Sequence, residues 1–167
     1  MAAPRLRALT PDDRNRVEAM TRAAGLFSDH EITVALEVFD DGFVDPDYES
    51  AGVEIDDTLV GWACWGPTPN QEGTFDLYWI VVDRGRQGLG LGTRLLEEMG
   101  RRIAGRARTI VVETSGRADY ALTRTFYERH GYCQVGVEAN HYGPGDDLVR
   151  FAKALTSIAD RGFRKGP

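Results

Sequence analysis

Cysteine is scarce in this sequence of 167 residues, which contains only Cys64 and Cys133. The two lie far apart, neither belongs to a Cys-x-x-Cys pair, and no metal-type ligand spacing includes them. This scarcity argues against a fold held together by disulfides or by a structural zinc ion. We therefore predict reduced thiols, a cytoplasmic location and no metal.

Long apolar runs and basic tracts are also missing. No stretch approaches the roughly 20 residues that a helix needs to cross a bilayer, and the segment Met1 to Arg5 lacks the apolar run of a signal peptide. The net charge is −6, and basic residues cluster only at Arg84–Arg86 and Arg101–Arg108. An acidic chain is a poor candidate for sequence-independent binding to nucleic acid. We predict neither a membrane nor a nucleic acid partner.

The length predicts a single domain over residues 1–167, since the chain can form one core and is too short for two. Predicted elements, in chain order, are strand 5–9, helices 11–24 and 29–39, strands 51–55, 59–65 and 75–82, helix 92–104, strand 109–113, helix 120–129 and strands 132–140 and 148–153. The order β-α-α-β-β-β-α-β-α-β-β predicts an α/β or α+β fold around a central sheet. A loose tail is expected at about 156–167.

The most informative segment is a glycine-rich loop between the apolar strand 75–82 and the amphipathic helix 92–104. Its sequence is Gln87-Gly88-Leu89-Gly90-Leu91-Gly92-Thr93. A loop that opens a helix offers backbone N–H groups and the positive end of the helix dipole to an anion. Glycine lets the backbone approach the ligand closely, because no Cβ stands in the way. We predict that this loop binds a diphosphate.

Two familiar diphosphate motifs do not fit the spacing of this loop. A Walker-type loop needs a lysine followed by serine or threonine after its last glycine, and here Thr93 and Arg94 follow Gly92. A dinucleotide fingerprint needs a third glycine where Leu95 stands. The remaining pattern is Gln87-x-x-Gly90-x-Gly92. A flexible turn without a ligand is the alternative explanation of the glycines.

The loop and a second motif together resemble the GNAT superfamily of N-acetyltransferases. Gln87-x-x-Gly90-x-Gly92 is similar to the acyl-CoA loop of that family, and Thr125–Tyr132 matches its second signature, a helix ending in aromatic-Tyr-Glu-x-x-Gly-aromatic. The resemblance covers residues 5–153 and points to bacterial stand-alone members of unassigned substrate. It implies a mixed, mostly antiparallel sheet of about seven strands, splayed in the middle and flanked by about four helices.

The resemblance also implies that acetyl-CoA is a co-substrate, bound where the strands 75–82 and 109–113 splay apart. The amides of the loop would bind its pyrophosphate, and the backbone of the preceding strand would pair with its pantetheine. A backbone N–H of Val81 or Val82 would polarise the thioester carbonyl. The implied cofactor-binding residues are Ile80, Val81, Val82, Gln87, Gly88, Leu89, Gly90, Leu91, Gly92 and Thr93.

Three side chains are candidates for the chemistry that the resemblance implies. Tyr127, in the second signature, would donate a proton to the departing thiolate, since the pKa of tyrosine lies near that of a thiol. Glu113 and Asp76 are candidates for the base that deprotonates the amine, with a slight preference for Glu113, whose side chain is longer and stands at a strand end. The alternatives are a core aromatic at Tyr127, structural or solvated carboxylates, and a reaction without a protein base.

The predicted function is N-acetyl transfer from acetyl-CoA to a primary amine by direct transfer in a ternary complex. The acceptor is a small molecule or a peptide of unassigned identity. Two other classes stay open: a non-catalytic acyl-CoA-binding or sensing module, and a nucleotide-binding domain that uses the same loop. The sequence leaves the oligomeric state open, and a homodimer is kept as one option.

Overall fold

The computed structural model describes residues 1–155, and its elements follow the predicted order. Short 3-10 turns precede α1 and α4 and follow β4. The tail predicted at about 156–167 lies outside the described residues. The elements are β1 (Arg5–Arg7), α1 (Arg14–Ala23), α2 (Asp29–Asp41), β2 (Glu49–Ile55), β3 (Thr58–Pro67), β4 (Thr74–Val82), α3 (Leu91–Ile103), β5 (Thr109–Ser115), α4 (Ala121–Arg129), β6 (Cys133–Gly143) and β7 (Asp146–Ala154).

The strands form a mixed sheet of seven in the order β1-β2-β3-β4-β5-β7-β6. The pairs β1–β2, β2–β3, β5–β7 and β6–β7 are antiparallel, whereas β4 and β5 are parallel. The parallel register joins Thr74–Asp76 to Thr109–Val111, although β4 extends to Val82 and β5 to Ser115. This sheet and the four helices confirm the predicted fold class.

Contacts divide the chain into two units. The first unit contains Met1–Gly66 and Leu77–Arg101, and the second contains Pro67–Asp76 and Arg102–Pro167. The boundary therefore crosses β4 after Asp76. The single domain expected from chain length stays a prediction. Among residues 1–155, no helix combines the length and the apolar character needed to span a membrane.

In the first unit, α1 and α2 contribute to a core that includes the indole of Trp62 on β3. This side chain has no exposed surface, its ring lies 6.2 Å from that of Phe39, and its Nε1 donates a hydrogen bond to Thr21 Oγ1 at 3.3 Å. A capping box opens α2: the Glu31 amide donates to Ser28 Oγ and the Ser28 amide donates to the Glu31 carboxylate. Local chemistry thus sets the start of this helix.

In the second unit, α4 packs on one face of the β5–β7 ladder. The ring of Tyr127 lies 6.0 Å from that of Phe151, which is paired with Val112 on β5. Side chains alternate between the two faces of a strand, so Glu113 points to the opposite face. β5 is two residues longer than predicted, because its pairing with β7 continues as far as Ser115.

Candidate functional site

The glycine-rich loop of the first unit is anchored at Asp83, directly after β4. The Asp83 amide donates to the Val60 carbonyl at 2.8 Å, and its carboxylate accepts from the Gly85 amide at 3.0 Å and pairs with Arg16 of α1. Partial burial opposes ionisation of Asp83, but the Gly85 amide and Arg16 outweigh it and hold the pKa of this carboxyl below its ordinary value. The carboxylate therefore stays charged and ties the start of the loop to α1.

Beyond this anchor, the backbone of the loop is open. Gln87, Gly88, Leu89 and Gly90 are exposed. Gly88 and Gly90 have φ angles of +82° and +72°, and nothing lies within 4 Å of the position that a Cβ would take at either residue. This left-handed conformation favours glycine. The loop therefore presents main-chain groups with free space beside them.

The helix α3 begins directly after the loop, one residue earlier than predicted. Leu91 is buried and starts α3, Gly92 and Thr93 follow in its first turn, and the Arg94 amide donates to the Gly90 carbonyl at 3.1 Å. The first turn of a helix carries partial positive charge from its amides. Loop and helix start thus have the features that an anionic diphosphate needs, and the residues present fit that group.

The end of β4 carries the three strand residues predicted to bind the cofactor. Val81 is buried in the core of the first unit, whereas Ile80 and Val82 are half-buried. Because side chains alternate along a strand, Ile80 and Val82 share one face and Val81 points to the other. All three lie beyond Asp76, the last residue of β4 in the parallel register with β5.

The second unit brings the two predicted bases onto one face of its sheet. Asp76 is paired with Val111, and Glu113 follows two residues later on the same face of β5. Asp76 is half-buried, and Thr68 Oγ1 donates a hydrogen bond to its Oδ2 at 2.8 Å. Burial raises the pKa of Asp76 above its ordinary value; the Thr68 hydrogen bond opposes this rise, Glu113 adds to it, and Arg150 opposes it.

Glu113 has a different partner. It stands opposite Arg150 in the β5–β7 register, and Arg150 donates to Glu113 Oε1 from Nε at 3.1 Å and from Nη2 at 2.9 Å. The exposed fraction of the side chain is 44% for Glu113 and 36% for Arg150. Both candidate bases therefore lie on the same face of the sheet, and the guanidinium of Arg150 binds Glu113.

Tyr127 lies on the other face of the same ladder. It is 4% exposed, and its ring lies 5.5 Å from that of Phe126, 5.6 Å from that of Tyr132 and 6.0 Å from that of Phe151. Burial raises the pKa of the Tyr127 hydroxyl far above its ordinary value, and Tyr132 and Tyr120 add to the rise. The hydroxyl therefore keeps its proton at neutral pH, as a proton donor must, but its pKa lies above that of a thiol and not near it, contrary to the prediction from the sequence.

Sequence reasoning missed Thr68 and Arg150. Thr68 lies in the loop before β4, where no motif marks it, and Arg150 lies in β7 between Val149 and Phe151. For Arg150, the available signal was a charged residue within an apolar strand. That its partner is Glu113 follows only from the β5–β7 register. In the described part of the chain, no group of three His, Cys, Asp or Glu side chains could hold a metal ion.

The sequence matches the family model described as acetyltransferase (GNAT) domain over residues 46–134. Among solved structures, it is similar to a protein from Desulfovibrio desulfuricans described as an acetyltransferase of the GNAT family. The two chains are 38% identical, with a TM-score of 0.86, over 92% of this chain and 100% of the other. A comparison with curated proteins finds no match.

Two further structures are similar at lower identity. The ribosomal-protein-S18-alanine N-acetyltransferase from Escherichia coli is 18% identical, with a TM-score of 0.76, over 93% of this chain and 96% of the other. The PaiA N-acetyltransferase from Thermoplasma acidophilum, solved in complex with coenzyme A, is 15% identical, with a TM-score of 0.72, over 92% of this chain and 100% of the other. At these identities the likeness concerns the fold alone.

Proposed function

Because this chain belongs to the GNAT family of acetyltransferases, we propose that it transfers an acetyl group from acetyl-CoA to a primary amine of a small molecule or a peptide. The transfer is direct and takes place in a ternary complex. The observation that carries this proposal is the open loop of Gly88 and Gly90 at the start of α3, with its left-handed glycines and exposed backbone.

The loop residues Gln87–Thr93 bind the pyrophosphate through backbone amides in this proposal. A side chain at Gly88 or Gly90 would occupy the space that the phosphate oxygens need. The backbone of Ile80 and Val82 pairs with the pantetheine, and the N–H of Val81 or Val82 polarises the carbonyl. Acetyl-CoA supplies the acetyl group as a thioester, which an amine can attack.

We assign the base to Asp76, because Glu113 already serves as the partner of a guanidinium. Arg150 donates two hydrogen bonds to Glu113 Oε1, which occupy that oxygen. Asp76 has a hydroxyl partner and a raised pKa, which brings its proton affinity closer to neutral pH. This assignment differs from the slight preference for Glu113, which rested on side-chain length.

Two residues account for the proton lost by the amine nitrogen and the proton gained by the sulfur. The amine nitrogen bonds to the acetyl carbon and the carbon–sulfur bond breaks. The amine reacts in its neutral form; Asp76 takes one proton from the nitrogen, directly or through a water molecule, and Tyr127 gives one proton to the sulfur. Asp76 then releases its proton to solvent and Tyr127 takes one up, which restores both groups. Asp76 and Tyr127 lie on opposite faces of the sheet in the second unit. In the proposed reaction, the amine is on the side of Asp76 and the leaving thiolate is on the side of Tyr127.

The loop assignment can be tested by the effect of coenzyme A on the melting temperature. A ligand at one hundred times its Kd stabilises the folded state by about 2.7 kcal/mol. We expect Gly90→Asp to abolish this shift, because it adds a side chain and a negative charge at the diphosphate. Gly105→Asp is the matched control, since Gly105 also has a positive φ, +83°, and open space at Cβ; its shift should persist.

Two outcomes would contradict the loop assignment. One is a full coenzyme A shift in Gly90→Asp. The other is an equal shift with ATP, which would favour the nucleotide-binding alternative.

Transfer itself can be tested with a panel of primary amines, including peptide N-termini, lysine side chains and small amines. Release of free thiol from acetyl-CoA is measured for each acceptor. We expect at least one amine to accelerate release in the wild-type protein and not in Gly90→Asp. Coenzyme A binding without thiol release for any amine would favour the sensing module instead.

A further inference from the structure

Arg150 is the cation of a charged cluster on one face of the sheet in the second unit, together with Asp76 and Glu113. We propose that Arg150 is a positioning residue of the acetyl transfer, which acts on Asp76 through space by neutralising the Glu113 carboxylate across the β5–β7 ladder. This inference rests on the proposed function, in which Asp76 is the base. It assigns a role to a residue that no motif of the sequence marks.

The first step of the argument is the contact between Arg150 and Glu113. The two residues are direct cross-strand partners, and both hydrogen bonds of the guanidinium end on Glu113 Oε1. Two N–H groups on one carboxylate oxygen neutralise part of its charge. Arg150 therefore partly neutralises Glu113 at Oε1.

The second step is the position of Asp76 relative to this pair. Its cross-strand partner Val111 is two residues before Glu113 on the same face of β5. The carboxylate of Asp76 is thus a neighbour of the pair, while its own hydrogen bond comes from Thr68. Arg150 does not need to contact Asp76 to change its pKa, because charges interact through space.

The third step is that the two members of the pair act on Asp76 in opposite directions. Glu113 raises the pKa of Asp76 and Arg150 lowers it. Glu138 of β6 also acts on Arg150, and its carboxylate pairs with His141 at 2.9 Å. The proton affinity of Asp76 therefore depends on a balance between burial, the Thr68 hydrogen bond, one nearby anion and one nearby cation.

Because Glu113 and Arg150 change the pKa of Asp76 in opposite directions, replacing each of them in turn tests the inference. In Arg150→Gln the cation is lost and Glu113 is left uncompensated, so the pKa of Asp76 rises. In Glu113→Gln the anion is lost, so the pKa falls. We expect the two changes to be of opposite sign. Arg150→Lys keeps the charge and should restore most of the wild-type value.

The direct measurement is a carbon NMR titration of the Asp76 carboxyl in the full chain, which needs no acceptor. Arg101→Gln is the matched control. Arg101 also binds a carboxylate through two nitrogens, that of Glu98 at 3.0 and 2.7 Å, and it is not among the groups that act on Asp76. Its removal should leave the Asp76 midpoint unchanged. An unchanged midpoint in folded Arg150→Gln, or shifts of the same sign in Arg150→Gln and Glu113→Gln, would overturn the proposal.

The kinetic measurement is the pH profile of kcat/KM with the amine that releases most thiol in the panel. We expect the acidic limb of the profile to move to higher pH in Arg150→Gln and to lower pH in Glu113→Gln. At higher pH, the activity of Arg150→Gln should return to that of the wild type. A shift of one unit lowers the rate on the limb about tenfold. A purely structural role would lower activity at every pH, and that result would also overturn the proposal.

Asp76→Asn separates failure of this inference from failure of the proposed base. If Asp76→Asn abolishes the acidic limb and Arg150→Gln leaves it in place, the base assignment stands and the role of Arg150 is overturned. If Asp76→Asn keeps the limb, Asp76 is not the base, and the proposal for Arg150 fails with it. Thermal melting of each variant shows whether it is folded.

Discussion

Replacement of Tyr127 by phenylalanine removes one oxygen atom and keeps a buried ring. The distances of 5.5, 5.6 and 6.0 Å to the rings of Phe126, Tyr132 and Phe151 join ring centroids, and phenylalanine retains the ring. The side chain is buried, and phenylalanine fills nearly the same volume without leaving a cavity. We therefore expect the free energy of unfolding to change by less than about 1.5 kcal/mol and the affinity for coenzyme A to stay the same.

The effect on catalysis should be much larger. Loss of one general acid lowers kcat by about 10²-fold. Each factor of ten corresponds to about 1.36 kcal/mol of activation free energy, so the expected loss is about 2.7 kcal/mol. A change confined to packing could not produce this loss while the folded protein still binds coenzyme A. The size of the kinetic effect relative to the stability effect is therefore the informative quantity.

The assay compares kcat for thiol release with the urea-induced unfolding of the same protein. Tyr132→Phe is the matched control, because it removes the same hydroxyl from a neighbouring buried ring. Burial raises the pKa of Tyr132 to about 12, and its ring lies 5.6 Å from that of Tyr127. We expect this control to keep kcat within about twofold, since Tyr132 has no proton to give in the proposed reaction.

Two results would refute the role of Tyr127. Full kcat in Tyr127→Phe at saturating acceptor would remove the hydroxyl from the reaction. An equal loss of kcat in Tyr132→Phe would point to the packing of the aromatic cluster rather than to a proton donor. Unfolding of Tyr127→Phe would favour the explanation of this residue as a core aromatic.

Two stability predictions follow from contacts in the first unit. Gly66→Ala places a Cβ 2.5 Å from the Asp47 carbonyl oxygen, and we expect urea unfolding to show a loss of about 1–3 kcal/mol, whereas Gly100→Ala, with nothing within 4 Å, should cause no loss. The hydrogen bond from Arg7 lowers the pKa of Asp13. The stability that this gives is present above the unfolded pKa of about 3.9 and is lost as pH falls through the folded pKa. The melting temperature of Asp13→Asn should therefore change less between neutral and acid pH than that of the wild type. An equal change in the two proteins would contradict this prediction.

Local chemistry determined much of this protein from the sequence. The serine and glutamate of the capping box set the start of α2, because their hydrogen bonds join residues three apart. Asp56 and Asp57 have positive φ angles in the hairpin turn between β2 and β3, a conformation that aspartate tolerates in tight turns. The glycine-rich loop before α3 was predicted in the same way. Such features depend on neighbours along the chain, so a sequence is enough to find them.

The tertiary structure alone decided how the candidate bases differ. Glu113 and Asp76 are similar as residues of a sequence, and side-chain length favoured Glu113. The partner of Glu113 stands 37 positions later, and the pairing follows from the register between β5 and β7. The same ladder placed Tyr127 and the carboxylates on opposite faces. Strand register depends on the packing of whole elements rather than on local preference, and a shift of one residue would exchange every face.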